Sequence, residues 1–569
     1  MIILGLNGLS RWGFHDPSAC ILINGKLEHF VEEERLARIK HAPGRSPALA
    51  VRECLNLCQV DWGEIDKVAF GWDLPRFARR ADPSLDPKDI GRLLLRDIGA
   101  PEGFPVKRLV FVSHHEAHAW ASLPLAGGMP SLVVVVDGQG ETESTSVFRA
   151  SGGRLELLET YDARFSLGYF YEAVAWYLGL GLAGTGKLMG LAAYGPETSE
   201  LVFIESEKSL TTIVPTNILE SMPGSFDDAR AVVERFWIPF LRDRFPGIDS
   251  SIEATQAPFA HRDNLDSVKE AVRAAAFAQA NVESAVCTLL ARHLTGADRA
   301  IVLSGGVALN CRLNGLIARH FPDRAVHISP TPHDAGAALG AAIRVAIECE
   351  SQPVSLGEFP YTGRAFSDAE VAEALRTTGV TGVRVEDVAS VAADLISSGA
   401  CIGWFQGAAE VGPRALGGRS IMASAASSAT RDHLNSRIKA RERWRPFGPM
   451  VLGGHEGRHF GCCSDARFMI KSFPVNLVSR SRLGAVVHVD GSTRPQVVYA
   501  DGPERMCAAL LKAVQAQVGD PWVLNTSFNR ANEPIVYTPR EAIQAFRAMP
   551  LDALVLGQWL VRRPNPEQS

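Results

Sequence analysis

Residues 109–143 limit what this chain can fold into more than any other stretch. They read L-V-F-V, then S-H-H-E-A-H-A, then a Pro-Gly break, then S-L-V-V-V-V-D-G-Q-G-E-T-E. The two apolar runs are strands of the kind buried in an α/β protein, and each delivers polar residues at its carboxyl end. Ser113 followed three places on by Glu116 is a capping box, so a helix is expected to start there. On that helix His114 and His118 stand at i and i+4 and share a face, which is metal-ligand spacing, whereas His115 points elsewhere. The next strand ends at Asp137, aimed at the same sheet edge. The Gly-Gln-Gly after it, starting at Gly138, suits a backbone that approaches phosphate. A surface helix carrying two histidines fits the pattern alone equally well. Asp137, and a second strand-end aspartate at position 334, favour a metal.

At 569 residues the chain has room for two domains with insertions. An apolar share of 46% with 21% charged residues is ordinary for a soluble enzyme. A net charge of −5 gives no bulk electrostatic case for binding nucleic acid. The ten cysteines include no C-x-x-C, so free thiols in a reducing compartment are expected. The start has no secretory pattern and no run reaches the length of a membrane span, so the expectation is a cytoplasmic protein without a membrane partner.

In order along the chain, residues 2–35 read as three strands with Asn24-Gly25 as a hairpin turn. His15 lies in the loop after the first strand, where it serves either chemistry or loop hydrogen bonding. The run Glu32, Glu33, Glu34, Arg35, Arg38 and Lys40 reads by default as a solvated helix face. Residues 181–187 meet the first seven positions of a P-loop, but Leu188 stands where the magnesium-binding Ser or Thr must be, so the P-loop is rejected. Lys187 then holds a phosphate or an ion pair within a turn. Residues 200–262 read as an insertion and 266–294 as a long Ala-rich helix. A buried strand then runs into Gly305-Gly306 and a helix start with Asn310 and Asn314, a turn that lets backbone amides face an anion or nucleotide. Asp334 follows the next strand, as a ligand or as a helix cap. Pro, Gly and Ser rise over 351–368, the expected linker. Beyond it, Arg437, Lys439, Arg441, Arg443 and Arg445 alternate in parity and would share one side of an extended segment. The rigid W-R-P-F-G-P that follows, with Arg414, Arg419 and Arg494, favours a phosphate-binding cleft over a solvated tail. W-V-L-N-T-S-F-N reads as a strand ending in Asn525, Thr526 and Ser527.

Taken together, F-H-D, E-E-E-R, S-H-H-E-A-H-A, V-D-G-Q-G-E, S-L-G-Y-F-Y-E, G-K-L-M-G-L-A-A-Y-G, S-G-G-V-A-L-N, E-V-G-P-R-A-L-G-G-R-S, W-R-P-F-G-P, S-T-R-P-Q and L-N-T-S-F-N span nearly the whole chain in order. In these the sequence resembles the NodU/CmcH-type O-carbamoyltransferases. The resemblance implies an α/β fold: an actin-like ATPase (Kae1-like) duplicated β/α core over 1–350, with the insertion near 200–262, and a YrdC-like α/β domain over 369–569. It implies that the second domain makes carbamoyl adenylate from ATP (with Mg) and carbamoyl phosphate, releasing phosphate and pyrophosphate. The first would pass the carbamoyl group to a small-molecule hydroxyl on a natural product, such as an antibiotic scaffold, or a sugar. By the same correspondence, Fe(II) or another divalent metal is held by His114, His118, Asp137 and Asp334, a mixed donor set that does not choose among iron, manganese and zinc. His15, Lys40 and Asp228 take catalytic or acceptor-side positions. Arg414, Lys439, Arg445, Arg494, Asn525 and Ser527 take carbamoyl-phosphate and nucleotide positions, and Gly138, Gly168, Lys187, Gly305, Gly306 and Asn310 take cofactor-binding positions. One departure is Gly418, where a relative in that family has a larger polar residue; no change in chemistry is expected from it.

Two other readings stand beside this one. Kae1-like and YrdC-like modules also serve tRNA threonylcarbamoyl-adenosine modification, which needs a basic RNA-facing surface that a net charge of −5 does not suggest. A non-catalytic nucleotide-binding scaffold would have no reason to retain the basic residues and the four candidate ligands.

Overall fold

A computed structural model of the protein describes residues 1–11, 14–81, 86–181, 184–205, 210–212, 233–248, 262–350, 353–461 and 465–563. Two compact units emerge: residues 1–33 with 41–357, and residues 34–40 with 358–569.

The first unit is built on a repeated sheet. Strands β1 (Ile2–Asn7), β2 (Ser18–Ile23), β3 (Lys26–Glu32), β4 (Lys67–Phe70) and β5 (Leu109–Phe111) lie in the order β3-β2-β1-β4-β5. The β1-β2 and β2-β3 pairs are antiparallel, and β1-β4 and β4-β5 are parallel. Strands β6 (Ser131–Val136), β7 (Glu143–Ser151), β8 (Arg154–Asp162), β11 (Ala300–Ser304) and β12 (Ala325–Ile328) repeat the arrangement as β12-β11-β6-β7-β8, with the same two antiparallel and two parallel pairings. This duplicated topology is that of the actin-like ATPase core. Inside the second half, between β8 and β11 in sequence, β9 (Phe203–Glu205) and β10 (Leu210–Thr212) pair antiparallel as a separate two-stranded sheet. Every residue of β6 is buried, as a strand with apolar side chains on both faces requires. Asn24 and Gly25 both take positive φ, the geometry of a tight hairpin turn.

Helices α1 (His114–Ser122), α2 (Leu167–Tyr177), α3 (Lys269–His293), α4 (Cys311–His320) and α5 (Ala335–Glu350) cover these sheets. Helix α5 is the pivot. It packs on α1 and on β1, β2 and β4. A Cβ on Gly71 would lie 2.7 Å from the Ala337 carbonyl, and one on Gly340 would fall inside the Ala117 carbonyl oxygen. Only hydrogen fits at these crossings, which set the height of α5 over both neighbours. Helix α3 has the length and apolarity of a membrane span, yet its Ala274, Phe277, Val282, Val286, Leu289 and Leu290 are buried inside the unit.

The second unit is an eight-stranded sheet. It comprises β13 (Val383–Arg384), β14 (Ile402–Phe405), β15 (Arg419–Ala423), β16 (Gly448–Leu452), β19 (Gln496–Val498), β20 (Trp522–Ser527), β21 (Ala553–Leu556) and β22 (Trp559–Arg562), in the order β13-β22-β21-β14-β15-β20-β16-β19. The pair β17 (Phe473–Pro474) and β18 (Ser492–Thr493) stands apart. Successive side chains go to opposite faces. Trp404, Met422 and Val523 join a core with α7 (Val388–Ser397) and α8 (Arg505–Val518), whereas Phe405, Ile421 and Leu524 join one with α6 (Asp368–Thr378) and α9 (Pro539–Ala548).

Two local expectations fail. The run from Glu32 to Arg35 is buried, not a solvated face. Arg35 donates to the Gly412 carbonyl at 2.6 Å and Arg38 to the Ile535 carbonyl at 2.7 Å, so the charges of 34–40 are used to stitch that segment into the second unit. The basic run near 440 is not extended either. A helical turn covers 434–438 and Ala440 takes a positive φ, which leaves Arg437 and Arg443 exposed and Lys439 buried.

Replacing Gly340 by Ala forces α5 off α1. The expected cost is about 2–3 kcal/mol, the upper range for overpacking, read as a lowered midpoint in urea unfolding.

Candidate functional site

Helix α1 starts where the sequence places it, but the expected capping box does not form. Ser113 makes no side-chain cap bond. Glu141 caps the helix instead, taking the His114 amide on both carboxylate oxygens at 3.0 and 3.1 Å and the Asp73 amide at 2.7 Å. Glu116 pairs with Arg344 at 2.7 Å. His115 points away, with Nδ1 2.7 Å from Ser146 Oγ.

His114 and His118 bring their Nε2 atoms within 3.0 Å of each other. Asp137 Oδ2 lies 3.3 Å from the first and 3.0 Å from the second, and Asp334 Oδ1 lies 3.6 and 3.7 Å away. Two imidazole nitrogens and two carboxylate oxygens thus converge within 4.8 Å of one another. His114 and Asp137 are held from behind, whereas His118 Nδ1 is buried without a hydrogen bond. His114 Nδ1 donates to the Gly71 carbonyl at 3.1 Å, which leaves the Nε2 lone pair of the neutral ring facing the centre, and Trp72 stacks on the ring at 3.8 Å. Asp137 Oδ1 accepts from the Gly138 amide at 2.8 Å and the Gly306 amide at 3.2 Å, freeing Oδ2 for the histidines. The Ser18 hydroxyl holds the Ala335 carbonyl at 2.7 Å, next to Asp334.

The electrostatics favour a positive charge at the centre. Burial disfavours the His114 imidazolium, but Asp334 and Asp137 outweigh it and raise the pKa to about 10. Against its own burial, Asp137 is held well below the usual carboxylate range by hydrogen bonds to His114 and His118; Asp334 is held low by His15 and His114. Two facing imidazole nitrogens need a proton or a cation between them. The donor set fits a divalent ion of the iron, manganese or zinc type.

The other expected positions distribute unevenly. His15 Nδ1 lies 3.0 Å from Asp16 Oδ2 and 4.0 Å from Asp334 Oδ2, at the rim of the cluster. Asp16 also takes His41 Nδ1 at 2.8 Å, so one buried carboxylate orients two imidazoles. Glu172, on α2, is half-buried, and burial raises its pKa to about 7 near His15, Asp137 and Asp334. Gly138 and Gly306, expected to face phosphate, spend their amides on Asp137. Gly168 allows α2 to touch the same turn, since a Cβ there would lie 2.6 Å from the Asp137 carbonyl oxygen. Gly305 takes a φ of +85° that turns β11 toward this contact. Asn310 caps α4 and is locked amide to amide with Gln279 at 2.9 and 3.1 Å. Lys187 sits half-buried in the helix Thr185–Leu191. Asp228 lies outside the described residues. Lys40 belongs to the second unit, where its charge acts on Lys439.

In the second unit the guanidinium of Arg441 is destabilised first by burial and then by Arg445, Arg494 and Arg414, with Glu442 the carboxylate acting against them. Arg494 Nε is buried without a hydrogen bond. Lys439 departs from expectation. Its ammonium donates to the Ser527 carbonyl at 2.8 Å and to the Asn529 carbonyl and Oδ1 at 2.7 Å each, so its three donors are consumed in fixing the end of β20. Ser527 Oγ also turns to Asn529 Oδ1, at 2.7 Å. Glu410 shapes the loop between Arg414 and Arg419, with Oε1 accepting from the Leu416, Gly418 and Arg419 amides at 2.6, 3.2 and 3.1 Å. A Cβ at Gly418 would lie 2.5 Å from Glu410 Oε2, so glycine there keeps this carboxylate in place.

Glu141, Asp16, Trp72, Glu172 and Arg441 were not singled out for these roles from the sequence. Glu141, Glu172 and Asp16 sit inside quoted motifs, but Trp72 gives no local signal, because its role is a contact across the sheet.

Comparisons with known proteins bear on the whole chain. The family profiles described as Carbamoyltransferase N-terminus and Carbamoyltransferase C-terminus match residues 245–343 and 393–563. Nodulation protein NolNO of Sinorhizobium fredii is 34% identical over 99% of this chain and 83% of its own length. Nodulation protein NolO of Bradyrhizobium diazoefficiens is 34% identical over 79% of each chain. Among solved structures, (R)-2-hydroxyglutaryl-CoA dehydratase component A of Acidaminococcus fermentans covers 62% of this chain and 100% of its own at 16% identity, with a TM-score of 0.35, too low to carry an argument.

Replacing His118 by Ala or Asp334 by Asn removes one of four donors, and metal content measured by elemental analysis should fall at least about tenfold, in line with losses seen for even outer-shell ligand partners. A second expectation concerns chelator-treated protein. His114 has a folded pKa near 10 against an ordinary 6.5. Its stabilisation is therefore complete below pH 6.5 and lost as pH rises toward 10, so Tm should drop across that window and drop less in His114→Gln.

Proposed function

Because the chain belongs to the carbamoyltransferase family, we propose that it activates a carbamoyl group with ATP in the second unit and transfers it to a hydroxyl in the first. The observation that carries the first half is the grouping of Arg414, Arg445 and Arg494 around Arg441, whose charge they disfavour, with Glu442 opposing. Such a cluster is stabilised by an anion of high charge density, and guanidinium forks suit phosphoryl oxygens.

In this reading the second unit works as the YrdC-like module. Water takes the phosphoryl group of carbamoyl phosphate, giving phosphate and carbamate. The carbamate oxygen attacks the α-phosphorus of ATP, the bond to the β-phosphate breaks, and pyrophosphate leaves. The arginines neutralise charge on the departing groups, and Lys439 keeps the end of β20 in place beneath them.

In the first unit the acceptor hydroxyl attacks the carbamoyl carbon of the adenylate, the bond from that carbon to the AMP oxygen breaks, and AMP leaves. His15, oriented by Asp16, is the group assigned to the hydroxyl proton. A divalent cation, iron(II) in this reading, held by His114, His118, Asp137 and Asp334 would supply Lewis-acid polarisation of the carbonyl and charge stabilisation of the leaving phosphate. The acceptor is a natural-product or sugar hydroxyl.

The two half-reactions separate experimentally. Exchange of radiolabelled pyrophosphate into ATP should require carbamoyl phosphate and fall about 100-fold or more in Arg494→Ala, as expected for a half-buried charge contact to a reacting phosphate. His114→Ala should keep the exchange and lose carbamoyl transfer. Absence of carbamoyl-phosphate-dependent exchange in the intact enzyme would sink the reading.

A further inference from the structure

Asp16 takes one imidazole on each of its carboxylate oxygens, and only one of the two rings has a role so far. His15 Nδ1 lies 3.0 Å from Asp16 Oδ2, and His41 Nδ1 lies 2.8 Å from Asp16 Oδ1. Burial opposes the charge on Asp16, but the hydrogen bonds from His15 and His41 outweigh it and hold the carboxyl well below its usual range. An ionised carboxylate only accepts, so both rings donate through Nδ1. His15 therefore keeps Nε2 as the nitrogen available to a ligand.

The backbone ties the same residues together. The Asp16 amide donates to the His41 carbonyl at 2.8 Å and the Gly44 amide to the Phe14 carbonyl at 2.8 Å, which zips the turn carrying His15 to the turn at 41–44. From the other side, buried Asn7 donates to the Asp16 carbonyl at 3.2 Å while its Oδ1 accepts from the Trp72 indole at 3.1 Å. Asp16 and His41 both hold left-handed backbone, with φ of +50° and +61°. Such conformations are costly for side chains other than glycine and persist where neighbouring contacts enforce them, often beside a working site. Here the two residues enforce each other.

Asn7 fixes the backbone of Asp16 but leaves its carboxylate free to turn, because the terminal torsion of an aspartate is broad. With His15 as its one partner, the carboxylate and the ring could swing together. A second donor on the other oxygen removes that freedom. We infer that His41 is a positioning residue for the transfer step: through Asp16 it fixes the carboxylate plane and, with it, the ring of His15 that meets the acceptor hydroxyl. This rests on the carbamoyl-transfer reading above. The His41 side chain is 40% exposed whereas Asp16 is buried, so His41 can be shortened without opening a cavity in the core.

The test uses the full-length protein with methyl α-D-glucopyranoside as the sugar-hydroxyl probe. His41→Ala should lower kcat for carbamoyl transfer about 10- to 100-fold, the range for losing a partner that orients a working side chain. KM for the probe and the carbamoyl-phosphate-dependent pyrophosphate exchange should stay unchanged. Asparagine is the conservative variant, since its Nδ2 stands where the histidine Nδ1 does, and His41→Asn should restore most of kcat. In Asp16→Ala the link is already broken, so removing His41 as well should cost nothing further. A crystal structure of His41→Ala should show the His15 ring turned from its place in the unsubstituted protein. An unmoved ring, or losses that add in the double variant, overturns the inference. Exchange lost together with transfer, and not rescued by asparagine, marks a general structural role and overturns it too. Exchange without any transfer in the unsubstituted protein sinks the hydroxyl-transfer reading, and the inference with it, whereas normal transfer with an unmoved ring sinks the inference alone.

Discussion

The approach of α5 to bare backbone on two sides is the constraint on which the first unit depends. Gly340 lets the helix touch α1 at Ala117, and Gly71 lets the neighbouring strand edge touch it at Ala337. Asp334 precedes that helix and His114 and His118 ride on α1, so the gap between carboxylate and imidazoles is the gap between the helices. Close packing makes this gap stiff. A side chain at either crossing widens it, and the four donors no longer converge.

Charge is handled differently in the two units. In the first, two carboxylates face two imidazoles, and backbone amides of Gly138 and Gly306 hold one carboxylate oxygen while the other faces the centre. The cluster is nearly balanced and asks for one more positive charge. In the second, Arg445, Arg494 and Arg414 disfavour the charge of Arg441, and the grouping asks for negative charge. Each imbalance is maintained by neighbours that do no chemistry themselves: Glu141 at the start of α1, Asp16 behind His15, Glu410 under the arginine-bearing loop. Folding free energy elsewhere offsets the cost of these unfavourable groupings, as is usual where a site is preorganised.

Much of this was legible in the chain. The uniformly apolar strand 131–136 required cover on both faces, and the i, i+4 histidines with Asp137 and Asp334 named the donor set that the fold brings together. Misreadings fell where a residue type has several uses. Glycines after a strand invite phosphate, yet Gly138 and Gly306 serve Asp137. A lysine among arginines invites the same reading, yet Lys439 is spent on Ser527 and Asn529. The run from Glu32 to Arg35 had the composition of a solvated face and is buried.

The sequence by itself determined the α/β pattern, the four metal-type donors and the family resemblance that implied a duplicated core, because period, residue chemistry and motif order are local properties that survive without coordinates. Only the tertiary structure decided which polar atoms remain unpaired once the chain has satisfied itself. Lys439 is saturated and Asn525 Oδ1 is not, a distinction set by partners such as Ala415, Gln496 and Asn529. Two of these partners are local to neither residue. A hydrogen-bond donor or acceptor is available to a ligand only if no distant part of the chain has already used it, and that is a property of the fold.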